Sequence, residues 1–129
     1  MTVRIKRLDH FGIEVGDLAR AERFYTSVLG FAVVNRFGDQ VLLDCGGQNL
    51  ALFAVQRPEL SKSERRGLID NPLGKGHHAF ALEVTGLDPA RKELQAAGVE
   101  VAAPIDWGDH DCLYFLDPDG NLLELISYR

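Results

Sequence analysis

The stretch LDHFGIEVGDLARAERFYTSVLGF, from Leu8 to Phe31, decides the fold that the sequence predicts. It begins within a strand predicted over residues 5–15, and Asp17 then stands where a helix N-cap is expected. Apolar residues recur at helical spacing after Asp17, and Gly30 is placed to end the helix. Three short predicted strands follow, FAVVNRF, QVLLDC and NLALFAV, separated by turn signals. The first half therefore predicts the order β-α-β-β-β.

The second half repeats this order. A strand HHAFALEV, a helix LDPARKELQAAG and a strand VEVAAP precede a loop IDWGDHD and two further strands, CLYFLDP and LLELISY. Such a repeat indicates an internal duplication. We predict one α+β domain over residues 1–129, in which two βαβββ modules form curled mixed sheets that pair around a shared concave site. The modules span residues 1–56 and 76–129, and residues 57–75 form a connector with at most one helical turn.

Composition excludes several classes of partner. The 129 residues carry a net charge of -5, so the chain lacks the basic surface that nucleic-acid binding needs. No stretch approaches the roughly 20 apolar residues of a membrane span. The two cysteines, Cys45 and Cys112, lie in apolar strand-like runs without a CxxC motif, which favours buried neutral thiols. We expect a cytoplasmic protein whose partner is a small molecule.

Two side chains are candidate metal ligands from their positions alone. His10 shares a strand face with Gly12 and Glu14, opposite the apolar face that can pack on the helix. Glu124 is flanked by leucines, and a carboxylate is costly to bury without a cation or a hydrogen-bonding partner. The alternatives are a structural histidine and an edge strand whose polar face meets water. Imidazole and carboxylate ligands together suit Fe, Mn, Ni, Co or Zn.

The opening stretch, together with LYFLDPDGNLLELISY near the end of the chain, resembles the vicinal oxygen chelate superfamily. That superfamily includes glyoxalase I, methylmalonyl-CoA epimerase, fosfomycin-resistance thiol transferases, extradiol dioxygenases and bleomycin-resistance proteins. The resemblance covers nearly the whole chain and implies the paired βαβββ fold. It also implies that His10 and Glu124 bind a divalent metal ion.

The resemblance implies a further histidine ligand at the start of the second module, in a form like H-x-A-F. His77 fits this form, and alternation along the strand puts His77 on the face of Ala79 and His78 on the face of Phe80. A β-bulge could instead bring His78 inward. We favour His77 as the ligand and keep His78 as the alternative.

The sequence departs from part of the superfamily at a fourth ligand position. Several members draw a Glu or Gln from the last strand of the first module, where this chain has Ala51, Leu52 and Phe53. Glyoxalase and epimerase types depend on that side chain, so both are disfavoured. A set of three ligands resembles the extradiol dioxygenases and the fosfomycin-resistance enzymes.

Two more residues are candidates for catalysis beside Glu124. Tyr114 stands where the fosfomycin-resistance enzymes have a substrate-contacting tyrosine, although Gly12 replaces their threonine. His110 could supply the acid or base that extradiol cleavage requires, the alternative being an exposed loop histidine between two aspartates.

Taken together, the sequence predicts a metal-dependent, homodimeric enzyme of the dioxygenase, lyase or transferase type. A divalent ion bound by His10, His77 and Glu124 would chelate a small substrate through neighbouring oxygens. The first alternative is a metal-free drug-binding protein of the bleomycin-resistance kind. The second is a structural or regulatory descendant in which the ligand residues remain only as hydrogen-bonded polar groups.

Overall fold

Each half of the chain forms a four-stranded mixed sheet with the same strand order. The computed structural model describes residues 2–129, which divide into a first unit ending at Pro58 and a second unit, Glu59–Arg129. The strand orders are β1-β4-β3-β2 in unit 1 and β5-β8-β7-β6 in unit 2. These sheets, each with the β-α-β-β-β order, confirm the predicted α+β class with two modules.

Unit 1 contains four strands and one helix: β1 (His10–Val15), α1 (Leu18–Arg23), β2 (Ala32–Phe37), β3 (Gln40–Asp44) and β4 (Asn49–Ala54). Strand β1 pairs with β4 in parallel, and the other neighbours are antiparallel. The predicted strand over residues 5–15 is wrong in its first half. Because β4 begins at Asn49, directly opposite His10, residues 5–9 have no partner strand.

Helix α1 begins as the sequence predicts, with the Asp17 side chain accepting a hydrogen bond from Arg20 N at 3.0 Å. After Arg23 the helix widens into a π-helix, Phe24–Val28, which buries Phe24 and Tyr25. Gly30 ends it with a φ of 75°, a conformation that glycine adopts without steric cost. The helix covers the apolar face of the sheet, whose buried residues include Ile13, Val15, Val41, Leu43, Leu50 and Leu52.

Unit 2 contains α2 (Lys62–Asp70), β5 (His78–Ala81), α3 (Asp88–Ala96), β6 (Ile105–Asp106), β7 (His110–Leu116) and β8 (Leu122–Tyr128). Two predictions in this unit are wrong. The segment 99–104 makes only an isolated bridge between Val101 and Phe115, and Pro104 has no N–H for a ladder. The predicted loop 105–111 instead contains β6 and the start of β7.

The expectation of at most one helical turn within residues 57–75 is also wrong, because this segment contains the nine-residue helix α2. Ser61 and Glu64 form a capping box. The Ser61 hydroxyl accepts a hydrogen bond from the Glu64 N–H at 3.1 Å, and the Glu64 carboxylate accepts one from the Ser61 N–H at 3.0 Å. This S-x-x-E spacing is a helix-start signal that was available in the sequence.

Arg65 fixes α2 to the rest of unit 2. Its guanidinium donates to both oxygens of Glu100 at 2.7 Å and to the carbonyls of Asp117 and Pro118 at 2.9 Å. Ile69 of the same helix packs in an apolar cluster with residues of β7 and β8, which are Cys112, Tyr114, Leu116 and Leu122. Across residues 2–129, no helix combines the length and apolar character that crossing a membrane requires.

Candidate functional site

The candidate site is centred on Glu124, a carboxylate buried in the middle of β8. Only 6% of the residue is exposed. It lies opposite Ala79 of β5 and Tyr114 of β7, so these three residues share one face of the sheet. Burying a charged carboxylate is unfavourable unless it is paired or hydrogen-bonded, and the structure supplies the partners.

His77 is the nearest polar partner of Glu124. Its Nε2 lies 2.9 Å from Glu124 Oε1, and its Nδ1 lies 2.7 Å from the backbone carbonyl oxygen of Lys75. A carbonyl oxygen can only accept, so Nδ1 carries a proton and donates it to Lys75. This hydrogen bond fixes the tautomer and the orientation of the ring, as the outer hydrogen bond of a metal-bound histidine does.

His78 takes the other face of the same strand. It lies opposite Leu123, whereas Ala79 lies opposite Glu124, so the alternating side chains separate His78 from the carboxylate. Burial, and then the charge of His77, lower the pKa of His78. Of the two adjacent histidines, His77 is therefore the one in contact with Glu124.

Tyr114 forms a wall of the site beside His77. The two rings meet edge to face, with centroids 5.1 Å apart and an interplanar angle of 78°. Burial raises the pKa of the Tyr114 phenol, and the charge of Glu124 raises it further. The phenol therefore remains protonated at neutral pH and can donate a hydrogen bond.

Cys112 lies on the same face, two residues before Tyr114 on β7. Its Sγ accepts a hydrogen bond from Trp107 Nε1 at 3.1 Å. Burial, and with it the nearby Glu124, raises the pKa of the Cys112 thiol to about 11. As the sequence predicts, Cys112 is a buried, neutral thiol.

His110 opens β7, at a distance from Glu124. Its Nδ1 lies 2.6 Å from Asp109 Oδ1, and its ring lies against Trp107 and Tyr128, with centroids 6.5 and 5.3 Å away. Tyr114 is the fourth residue after His110, which corresponds to about 13 Å along a strand. An acid or base role for His110 thus stays a prediction.

His10 belongs to unit 1, at the first residue of β1. Its side chain is 48% exposed, and its Nδ1 lies 2.8 Å from Asp9 Oδ1. This hydrogen bond lowers the pKa of Asp9. On the same face, a Cβ at Gly12 would approach the Phe53 ring to 2.9 Å, so the glycine makes room for that ring. A threonine at position 12, as the fosfomycin-resistance enzymes have there, would contact the same ring.

His77 Nε2 and Glu124 Oε1 are thus two adjacent atoms of unit 2 that could hold a metal ion. Within residues 2–129, no three His, Cys, Asp or Glu side chains are grouped closely enough to hold one. His77, Tyr114 and Glu124, which the sequence predicts as site residues, lie together in unit 2, and their roles stay predictions. The carbonyl of Lys75 and the thiol of Cys112 were not predicted to lie beside them. Alternation along β7 could have placed Cys112 with Tyr114, but no signal in the sequence indicates the Lys75 carbonyl.

Comparison with known families and proteins identifies relatives over nearly the whole chain. The profile of the Glyoxalase/Bleomycin resistance protein/Dioxygenase superfamily matches residues 7–125. Catechol-2,3-dioxygenase of Bacillus subtilis is 31% identical over 123 residues, which cover 91% of this chain and 40% of that enzyme. Glutathione transferase FosA of Serratia marcescens is 28% identical over 122 residues, 94% of this chain and 80% of that protein.

A solved structure shares the fold. Lactoylglutathione lyase from Agrobacterium tumefaciens superimposes with a TM-score of 0.72 at 26% identity, covering 95% of this chain and 94% of that one. The relatives therefore carry the names of a dioxygenase, a transferase and a lyase.

Proposed function

The chain belongs to the Glyoxalase/Bleomycin resistance protein/Dioxygenase superfamily, and we propose that it is a metal-dependent enzyme of this superfamily. Its substrate would be a small molecule that chelates the metal through neighbouring oxygen atoms. The reaction would be of the dioxygenase, lyase or transferase type, and the active form would be a homodimer. The observation that carries the proposal is the contact between His77 and Glu124.

This contact suits a cation. Because Nδ1 of His77 donates to Lys75, Nε2 and the Glu124 carboxylate would face each other as two acceptors unless a proton or a cation lies between them. Two ligand atoms each about 2.1 Å from one ion, at a right angle, lie about 3.0 Å apart. The observed separation of 2.9 Å is close to this value, and it is also the length of a direct hydrogen bond.

The residues around the pair would perform the remaining tasks. His77 and Glu124 would hold the ion, and nitrogen and oxygen donors suit Fe, Mn, Ni, Co or Zn. A divalent ion bound there would act as a Lewis acid toward the substrate oxygens. The protonated Tyr114 phenol would donate a hydrogen bond to the substrate. The apolar cluster around Ile69 would exclude water from the carboxylate.

Metal analysis tests the proposal. Protein purified without chelator is expected to contain about one transition-metal ion per chain. His77→Ala and Glu124→Ala should each weaken binding at least tenfold, and His78→Ala, on the opposite face, should retain it. Undiminished metal in the Glu124 and His77 variants would contradict the proposal.

A metal-free small-molecule binder is the second candidate. It is favoured by the fact that a protonated His77 would by itself satisfy the buried carboxylate as an ion pair. Calorimetric titration with Co²⁺, Mn²⁺ and Zn²⁺ after chelator treatment separates the two functions. Heat of binding that depends on Glu124 favours the enzyme, and its absence for all three ions favours the binder.

A further inference from the structure

We propose that a cavity of unit 2, lined by α2, the end of α3 and the segment that follows α3, binds a small molecule with one carboxylate and an apolar chain. Its volume is about 450 Å³, within the roughly 300–1,000 Å³ range of small-ligand sites. None of its lining residues is a proposed metal ligand. The inference therefore stands apart from the proposed function.

Helix α2 supplies the cationic side of the cavity. Lys62 and Arg66 both line it and are four residues apart, so their side chains lie on one face of the helix. Ile69, three residues further on, continues this face and is only 9% exposed. One helix face thus presents two positive side chains at its exposed end and an apolar side chain at its buried end.

The apolar part of the lining is held in place by backbone hydrogen bonds. Val99 and Val101, both half-buried, line the cavity together with Ile69. The Val99 N–H donates to the carbonyl of Leu94 at 2.9 Å, and Val101 forms a bridge with Phe115 of β7. These three side chains can remove the apolar chain of a ligand from water.

The charges around the cavity favour a monoanion. Glu100 is the anionic lining residue, and Arg65 binds both of its oxygens at 2.7 Å. Arg66 lies 3.6 Å from Asp70 in an exposed pair, which solvent screening makes weak. The lining residues together with these ion-pair partners leave one positive charge. A carboxylate matches it, whereas a phosphate monoester carries about 1.5 to 2 negative charges at neutral pH.

Titration of the full chain with sodium octanoate tests the proposal. Chelator is present, so that the carboxylate cannot bind through a metal ion at His77 and Glu124. Calorimetry measures the affinity, and backbone amide chemical shifts report where octanoate binds. Octan-1-ol has the same chain without the charge, and acetate has the carboxylate without the chain.

Three variants separate the cavity from a general effect of charge. Lys62→Gln removes a lining cation, whereas Lys92→Gln removes an exposed cation of α3 that does not line the cavity. Gln95→Trp fills the cavity from an exposed position at the end of α3. Urea unfolding checks that each variant is folded.

One octanoate should bind per chain and shift the amides of residues 62–69 and 95–101. Binding should weaken as sodium chloride is raised from about 0.05 to 0.5 M. We expect Lys62→Gln and Gln95→Trp to weaken it about fivefold, with Lys92→Gln at parental affinity. Octan-1-ol and acetate should both bind more weakly than octanoate.

Four results would overturn the proposal. These are no saturable binding at millimolar octanoate, equal affinity for octan-1-ol, equal losses in Lys62→Gln and Lys92→Gln, and amide shifts confined to other parts of the chain. Displacement of octanoate by inorganic phosphate would also overturn it, because the two cations would then select phosphate.

Discussion

The two halves of the chain share a strand order but treat their histidines differently. In unit 1, His10 begins β1 with nearly half of its side chain exposed, and its partner Asp9 is more exposed still. In unit 2, His77 precedes β5 and contacts a carboxylate whose side chain is 8% exposed. Two sheets of the same topology thus present one histidine to solvent and hold the other against a buried charge.

The difference lies in what each sheet has beside the histidine. The strand next to β1 contributes Ala51 and Phe53, which need no polar partner, whereas the strand next to β5 contributes Glu124. A buried carboxylate is stable only with hydrogen bonds or opposite charge nearby, and His77, which is held in turn by the Lys75 carbonyl, is that partner. We infer that unit 2 carries the polar centre of the site.

The largest expected effect on stability is found by comparing one paired arginine from each unit. Arg65 of unit 2 has a side chain only 16% exposed and pairs with Glu100, while Arg36 of unit 1, 62% exposed, pairs with Glu22. We expect Arg65→Ala to lower the free energy of unfolding by about 3 kcal/mol, since it removes a two-pronged ion pair with Glu100 and two hydrogen bonds to backbone carbonyls. Urea unfolding followed by circular dichroism measures this.

Arg36→Ala is the matched control, because it also breaks a two-pronged pair with a glutamate. It should shift the unfolding midpoint far less, as solvent screens an exposed pair. Equal shifts for the two variants would mean that the difference in burial has no energetic consequence.

The next effect compares the two histidines in metal-free protein. We expect His77→Ala to lower the free energy of unfolding by about 2 kcal/mol, because Glu124 loses its closest partner. His10→Ala should leave the unfolding midpoint nearly unchanged. Both are measured by urea unfolding in the presence of chelator, and a larger loss for His10→Ala would reverse the comparison.

A smaller effect is expected at Gly12. Gly12→Ala places a methyl group about 2.9 Å from the Phe53 ring, which should cost about 1 kcal/mol of stability. The double variant with Phe53→Leu should recover most of the loss, because the smaller side chain makes room. Failure of the second substitution to compensate would show that the Phe53 ring is not the cause.

The smallest effect is a pH dependence in unit 2. The hydrogen bond from Arg65 lowers the pKa of Glu100 below its ordinary value of 4.5. The pair therefore contributes stability above about pH 4.5, and this contribution is lost as the pH falls through the lowered pKa. As the pH is lowered from 5, the free energy of unfolding of the Glu100→Gln variant should fall less than that of the parent protein. Identical acid profiles by circular dichroism would contradict this.

The sequence predicted the duplicated fold and the residues at the centre of unit 2, and it erred where tertiary contacts decide the outcome. Alternation and helical spacing identified β8, α1 and the face of His77, since they are local patterns. The strand predicted over residues 5–9 fails because β4 starts at Asn49, which no local pattern reveals. The start of α2 was readable from Ser61 and Glu64, but its position depends on the bonds of Arg65 to distant carbonyls.

Diffraction from crystals grown with cobalt(II) tests whether His77 and Glu124 bind a metal ion. We expect one anomalous peak about 2.1 Å from His77 Nε2 and bonded to a Glu124 carboxylate oxygen, with His77 Nδ1 still donating to the Lys75 carbonyl. A peak bound to His78 or His110, or saturating cobalt without a peak at His77 and Glu124, would contradict it.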